Sequence, residues 1–368
     1  MKFPRAFPEG WLGVARWKAV PEDFCVEEIP LLSPLSSGAY ALVEVTKRDL
    51  STPALLRAVA DQAGIPRGQV SAAGFKDRCA LTRQWISLPA SCAAARPNLA
   101  EVLDWEPRGF VEEPLRPGQL RGNRFQLRLQ DCSLSAEQFR TLWARQLPLG
   151  WANYYGIQRF GQQPHYREVA LEMLRTPPPK KQRRRWPHNF ELNSLVSDLF
   201  NGFLQRRIEQ GRFLVARPGD WCRSDQRGDF RAAGTPEEQR ALAAFALAPL
   251  GPIWGYKLQE PTLEEQRLLQ ELGLNSESFR PFRAPGSRRV LRLPLPQLQL
   301  RPLGRGELEV AFDLPPGAYA TVLLGHFFHE GNFGTGQDVL TAVEVLDVTD
   351  KSRATPSAGP TAQNSPSG

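Results

Sequence analysis

Apolar residues recur along this chain with two different periods, and the changes of period mark out its elements. Asp23-Phe24-Cys25-Val26-Glu27-Glu28-Ile29 alternates polar with apolar positions, which predicts a strand with one buried face, and Ala39 to Val45 is its expected partner. A helix follows. Ser51 or Thr52 caps it, Pro53 takes the first turn, Leu55, Leu56, Val59 and Ala63 form its buried stripe, and Gly64 ends it. Gln69 to Ala73 and Leu81 to Leu88 predict two strands joined by the polar loop Gly74-Phe75-Lys76-Asp77-Arg78. Phe125 to Leu129 predicts another strand, entered through a basic turn at Arg121-Gly122-Asn123-Arg124. Ser135 with Gln138 spells a capping box at the start of the next helix.

The pattern then becomes helical. Leu192, Leu195, Val196, Leu199, Phe200, Phe203, Leu204 and Ile208 keep i, i+3, i+4 spacing until Gly211. Shorter helices are predicted from Thr235-Pro236-Glu237 and from Thr262, with Glu265 at the capping-box position and Gly273 at the end. Strand alternation returns at Val290 to Leu295 and Leu308 to Leu314, while Tyr319 to Phe328 fits either period. From Lys351 on, Ser, Pro, Ala, Thr and Gly dominate, and residues 351–368 are expected to be disordered. The expected fold is α+β, a mixed-sheet domain interrupted by a mainly helical insertion.

Composition adds a sign to this picture. The chain of 368 residues carries a formal net charge of +7, a field that attracts polyanions without specifying a fold. The basic residues cluster. Arg175, Lys180, Lys181, Arg183, Arg184 and Arg185 crowd one segment, and Arg280 to Arg305 holds seven arginines and no acid. Arginine suits bidentate phosphate contact and stacking on bases, and solvated faces give the same pattern. The five cysteines, Cys25, Cys79, Cys92, Cys132 and Cys222, are scattered without a Cys-x-x-Cys, so a disulfide framework or zinc knuckle is not expected and a reducing, cytoplasmic setting is. Pro4, Pro8 and Gly10 interrupt the N-terminus where a signal peptide needs an apolar core, and the longest apolar run, Ala241 to Leu250, is too short to span a bilayer.

Several chemistries lack their residues. His326, His329 and Glu330 lie close together without an evident third ligand, so no metal is expected. No phosphate-binding loop, dinucleotide fingerprint or Gly-x-Ser-x-Gly elbow occurs, so no nucleotide cofactor is expected either. In the Gly74 to Arg78 loop, Asp77 sits between two cations. An ionised carboxylate there can serve as nucleophile or base, Lys76 and Arg78 can hold an RNA phosphate, and an Asp after Gly can equally be a plain turn residue. Asn123 can hydrogen-bond the Watson–Crick edge of a pyrimidine and Phe125 can stack on it, the contacts needed to hold a base taken out of its stack, and an Asn in a turn with a Phe in a core is the plainer alternative. Asn153-Tyr154-Tyr155-Gly156-Ile157-Gln158-Arg159-Phe160-Gly161 concentrates aromatic, amide and glycine residues.

Taken together, these segments resemble the TruD family of RNA pseudouridine synthases. Lys18-Ala19-Val20-Pro21-Glu22-Asp23-Phe24-x-Val26-x-Glu28 is similar to its N-terminal motif. Ala73-Gly74-Phe75-Lys76-Asp77-Arg78-x-Ala80-x-Thr82-Arg83-Gln84-Trp85 is similar to its catalytic motif. Gly122-Asn123-Arg124-Phe125 and the Asn153 to Gly161 segment match two more, and weaker echoes follow at Gly219-Asp220, Leu250-Gly251-Pro252 and Leu314 to Thr321. Tyr155 stands where the family more often has Phe, and Cys79 where it often has His.

The resemblance implies a pseudouridine synthase domain over residues 1–157 and 284–350, interrupted by a family-specific insertion over 158–283. It implies Asp77 as the catalytic carboxylate, acting as nucleophile at C1′ or base at C2′, with Lys18 beside it, Asn123 and Phe125 at the base, and Lys76, Arg78, Asn153 and Arg159 contacting the substrate. The substrate implied is transfer RNA at uridine 13, with no cofactor, metal or membrane, and the chain is expected to act as a monomer. The rival reading is a non-catalytic RNA-binding protein or RNA chaperone. A glycoside hydrolase would need a second carboxylate in a matching context.

Overall fold

The alternation at Phe24–Pro30 (β1) builds the middle of an eight-stranded sheet. Its other strands are Tyr40–Arg48 (β2), Ser71–Ala72 (β3), Leu81–Pro89 (β4), Val102–Val111 (β5), Leu120–Leu129 (β6), Gln299–Gly304 (β7) and Glu307–Leu314 (β8). The computed structural model describes residues 13–161, 165–183 and 189–330, so Arg184, Arg185 and the 351–368 tail lie outside the described residues. The strand order is β7-β8-β6-β1-β4-β2-β5, with β3 pairing β4. The β1–β4 pair is parallel and the other pairs are antiparallel, so the sheet is mixed as expected.

Helix α1 spans Thr52–Ala63. Ser51 Oγ accepts the Ala54 N–H, and Gly64 closes the helix at φ +65°, where a side chain would be strained. Its Leu55, Val59 and Ala60 bury against Val43, Val45 and Ile86 of the sheet. Helix α2, Ala136–Gln146, starts with the predicted capping box and packs Phe139 and Trp143 among Phe312, Phe327 and Phe328.

Two expectations are corrected near the site. Val102–Val111 is a full edge strand that the reading above does not contain; Pro107 and the positive-φ Gly109 break its sequence pattern, and the ladder with β2 holds it regardless. Arg121 to Arg124 is the first half of β6, because Gly122 and Asn123 pair with Ile29 and Glu28 on one side and Asn123 with Leu314 on the other. Gly122 is needed there: a Cβ would sit 2.4 Å from the Leu314 carbonyl oxygen.

The interrupting segment holds helices α3 (Tyr166–Arg175), α4 (Phe190–Glu209), α5 (Pro236–Ala243) and α6 (Leu263–Glu271). It also carries an antiparallel sheet in the order Gly228–Arg231, Trp221–Ser224, Ala248–Ile253, Ser287–Val290, which short strands rich in Gly, Pro and Arg did not announce. Helix α7, Ala320–Leu324, followed by the short strand Phe328–Glu330, resolves the ambiguous run after Tyr319. One apolar core joins the two parts, running from Phe24, Phe125 and Phe312 through Trp151 and Tyr154 to Phe200, Phe203 and Phe279.

Candidate active site

Register decides which polar side chains meet under the loop between β3 and β4. Directly paired residues share a face of a sheet. Val26 pairs with both Phe125 and Thr82, Glu28 with Asn123, Lys47 with Thr82, and Val45 with Gln84. One face of the sheet therefore presents Phe24, Phe125 and Phe312 beside a polar row of Lys47, Thr82, Gln84, Glu28 and Asn123.

The Gly74–Arg78 loop is tied down onto that row. The Lys76 N–H donates to Thr52 Oγ1 at 2.9 Å, and the Thr52 hydroxyl donates to Gln84 Oε1 at 2.8 Å. Lys76 Nζ donates to Glu28 Oε2, with both side chains almost fully buried. Burial pushes the Glu28 carboxyl above its usual range, and Lys76 opposes that shift. Lys47, fully buried, donates to the Leu50 carbonyl and lies 3.5 Å from the Asp77 carbonyl. Its ammonium is pushed down to about 8, chiefly by burial, with Asp77 opposing and Lys76 adding to the shift.

These anchors place the Asp77 carboxylate at the surface, where Lys18 Nζ donates to its Oδ2 at 2.7 Å. Lys18 adopts φ +62°, an uncommon conformation for a residue with a Cβ, which marks its placement as imposed by the surrounding fold. The same ammonium lies 3.8 Å from the centroid of Phe24, and Phe24 meets Phe125 edge-on at 5.9 Å. Arg78 is mostly exposed and pairs loosely with Asp49 at 3.4 Å.

The motif from Asn153 is held by a network of its own. The Asn153 Nδ2 donates to the Val290 carbonyl at 2.8 Å, and its Oδ1 accepts from Arg289 Nη2 at 2.7 Å. Arg289 stacks over Tyr155 at 4.2 Å and also donates to the Gly317 carbonyl. Burial holds the Arg289 guanidinium below its usual range. Tyr155 meets Tyr319 at 6.1 Å, and Asn201 clamps the Tyr155 backbone through both its N–H and its carbonyl. Arg159 donates to Ser197 Oγ and Asn193 Oδ1, both neutral acceptors, so these bonds do not cancel its charge. The Tyr319 phenol is raised chiefly by burial. Arg159 and Arg289 oppose this, while Tyr155 and the Asp77 carboxylate add to it.

The structure joins Asp77 to Lys18, and Lys18 through Phe24 to Phe125, with Arg78 on the same loop and Asn123 on the same sheet face, and it revises two roles. Lys76 is expected at an RNA phosphate, but its charge is spent on Glu28 inside the protein. Asn153 is expected at the substrate, but it is buried and clamps Arg289. Phe125 is 7% exposed, an inner member of the aromatic layer. The Asn123 Oδ1 is buried and has no hydrogen-bond partner, an unusual state for a polar atom and one that a ligand donor relieves. Sequence reasoning missed Glu28, Lys47, Arg289 and Tyr319. The Leu314 to Thr321 echo was the signal available for Tyr319.

The basic clusters divide. In the Arg280 to Arg305 run, Arg288 pairs with buried Glu265, Arg289 serves Asn153, and Arg292 donates to the Leu149, Leu242 and Pro148 carbonyls. Arg280 and Arg301 pair with Glu277 and Glu309. Much of that run is internal bonding rather than a free surface for RNA. Lys180 and Lys181 are exposed. Asp220, of the Gly219-Asp220 echo, joins buried Arg207 and Arg212. His326 is engaged by the Val322 carbonyl and the Ala152 N–H, and no group of three or more metal-holding side chains occurs among the described residues.

Comparison with known proteins places these features in one group. The model of the tRNA pseudouridine synthase D (TruD) family matches residues 12–180 and 190–327. The chain is 33% identical over 327 residues to a tRNA pseudouridine synthase D of Anaeromyxobacter sp., covering 84% of this chain and 91% of the relative. It is 32% identical over 314 residues to one of Thermus thermophilus, covering 83% and 86%. A solved structure from Methanosarcina mazei, bearing the TruD name, superposes with a TM-score of 0.63 at 23% identity over 88% of this chain and 95% of that one, which speaks to the fold.

Proposed function

The chain belongs to the tRNA pseudouridine synthase D (TruD) family, and from that premise we propose that it converts uridine 13 of transfer RNA to pseudouridine with Asp77 as the catalytic carboxylate. The enzyme is an isomerase acting on transfer RNA, a catalyst rather than a passive RNA binder. The reaction breaks the C1′–N1 bond, turns the uracil and joins C1′ to C5, while C5 gives up a proton and N1 gains one. No electrons or groups are gained overall.

The observation that carries the residue assignment is the 2.7 Å pairing of Asp77 with Lys18, two residues 59 positions apart that meet at the surface. Lys18 orients the carboxylate and offsets its charge while the carboxylate acts on the ribose. Phe24 and Phe125 form an apolar layer beneath the Lys18 ammonium, and the unpartnered Asn123 Oδ1 is the acceptor offered to uracil N3–H. Arg78, which is mostly exposed, and Arg159, half-buried but bonded only to neutral acceptors, take phosphates on either side of the flipped nucleotide.

The chain is proposed to divide into catalytic parts over 1–157 and 284–350 and an insertion over 158–283, whose sheet takes its last strand, Ser287–Val290, from the return to the catalytic part. It is proposed to act as a monomer in the cytoplasm, where transfer RNA is found; its five cysteines are free and no described helix is long and apolar enough to cross a membrane. The test is to incubate unmodified transfer RNA with the protein and map pseudouridine by carbodiimide adducts and primer extension. A stop at position 13 is expected. Asp77→Asn is expected to lower the rate at least about 100-fold while retaining RNA binding, and native-like turnover in that variant overturns the assignment.

A further inference from the structure

Phe75 is the large apolar side chain of the catalytic loop, and it is 71% exposed. That exposure does not come from slack. The residues after it are fixed by Thr52, Glu28, Lys18 and Asp49. Lys76 turns inward to its buried ion pair, and Phe75 stands out into solvent one residue before it. The ring stands on a backbone tied down at the next residue and two residues from a catalytic carboxylate, where a bound substrate covers it. Arg78, whose side chain is 70% exposed, puts a cation on the same loop, so the partner that fits is one with flat apolar faces and negative charge.

We propose that Phe75 is a nucleobase-stacking contact. Its ring stacks on the base beside the target uridine once that uridine leaves the stack, and so holds the RNA open over Asp77. This rests on the functional reading above and adds to it a substrate contact outside the catalytic pair. Every base has a π-face, so the contact tolerates sequence variation and gives grip rather than base identity.

The test uses Phe75→Ala, Phe75→Leu and Phe75→Tyr, all at an exposed position where folding is not at stake. Phe75→Ala is expected to lower kcat/KM on transfer RNA about tenfold, and Phe75→Tyr to stay within about twofold of native. Phe75→Leu, apolar but not aromatic, is expected to resemble the Ala variant. A transfer RNA carrying 2-aminopurine next to the target, bound to Asp77→Asn protein so that no reaction occurs, is expected to show quenching that Phe75→Ala removes. An Ala variant as active as native, a Leu variant equal to Tyr, or quenching unchanged by Phe75→Ala overturns the proposal. If the native protein modifies no transfer RNA, the functional reading fails instead, and the quenching comparison still decides the stacking.

Discussion

Lys76→Met removes the ammonium that serves Glu28 and keeps an unbranched side chain of similar length. The carboxyl it abandons is almost completely buried, so the lost partner is not replaced by bulk solvent. A charge left alone at such a place protonates, because burial already pushes Glu28 upward and Lys76 is what opposes it. Keeping a proton on a carboxyl whose unfolded value is near 4.3 costs about 1.4 kcal/mol per pH unit above that value. The ceiling at pH 7 is therefore about 3.7 kcal/mol, which agrees with the roughly 3–5 kcal/mol found when one partner of a buried pair is deleted.

The sign follows from linkage. In the variant the folded-state value of Glu28 is raised, so its contribution is intact below the unfolded value and is lost as pH rises toward the new folded value. At pH 5 the penalty should shrink to about 1 kcal/mol. Urea denaturation of native and Lys76→Met protein at pH 5, 6 and 7 measures this. The double variant Glu28→Gln, Lys76→Met should recover much of the loss at pH 7, since an amide carries no charge to strand. A penalty equal at pH 5 and pH 7 would refute the reasoning and assign the loss to packing.

Asn123→Ala removes an oxygen that has no partner in the protein, so stability should change by less than about 1 kcal/mol while kcat/KM falls at least about tenfold; a matched loss in both, read from melts and initial rates, would make Asn123 structural. Lys47, pushed down to about 8, should make stability rise between about pH 8 and its unfolded value near 10.4, where the unfolded chain holds a proton that the folded one lacks. Lys47→Met should flatten that slope in denaturation at pH 7 and 9.5, and an unchanged slope would remove Lys47 as its source. Asn153→Ala strips the Arg289 clamp and should cost about 2 kcal/mol in denaturant unfolding, whereas a loss confined to kcat with native stability would return Asn153 to the substrate.

The local code was enough for much of the frame. Capping boxes at Ser135 and Thr262, the helix start at Thr235-Pro236, the stop at Gly64 and the alternation from Phe24 are short-range signals, and each element they announced is present. The order of the motifs was enough to expect Asp77 and Lys18 side by side, and the structure pairs them. Strands that lean on their neighbours were not legible. Val102–Val111, with Pro107 and Gly109 inside it, and the small sheet of the insertion exist because ladders elsewhere satisfy their backbone groups.

The tertiary structure alone decided where each charge goes. By sequence, Lys76 and Arg78 flank Asp77 equally, and Arg289 and Arg292 belong to a basic run. Register puts Glu28 under Lys76, Asn153 against Arg289 and three carbonyls around Arg292, so those charges turn inward, while Arg78 and the Phe75 ring remain outside. A residue's type fixes what it can bond, and its neighbours across a sheet, far away in the chain, fix whether any of that capacity is left for a substrate.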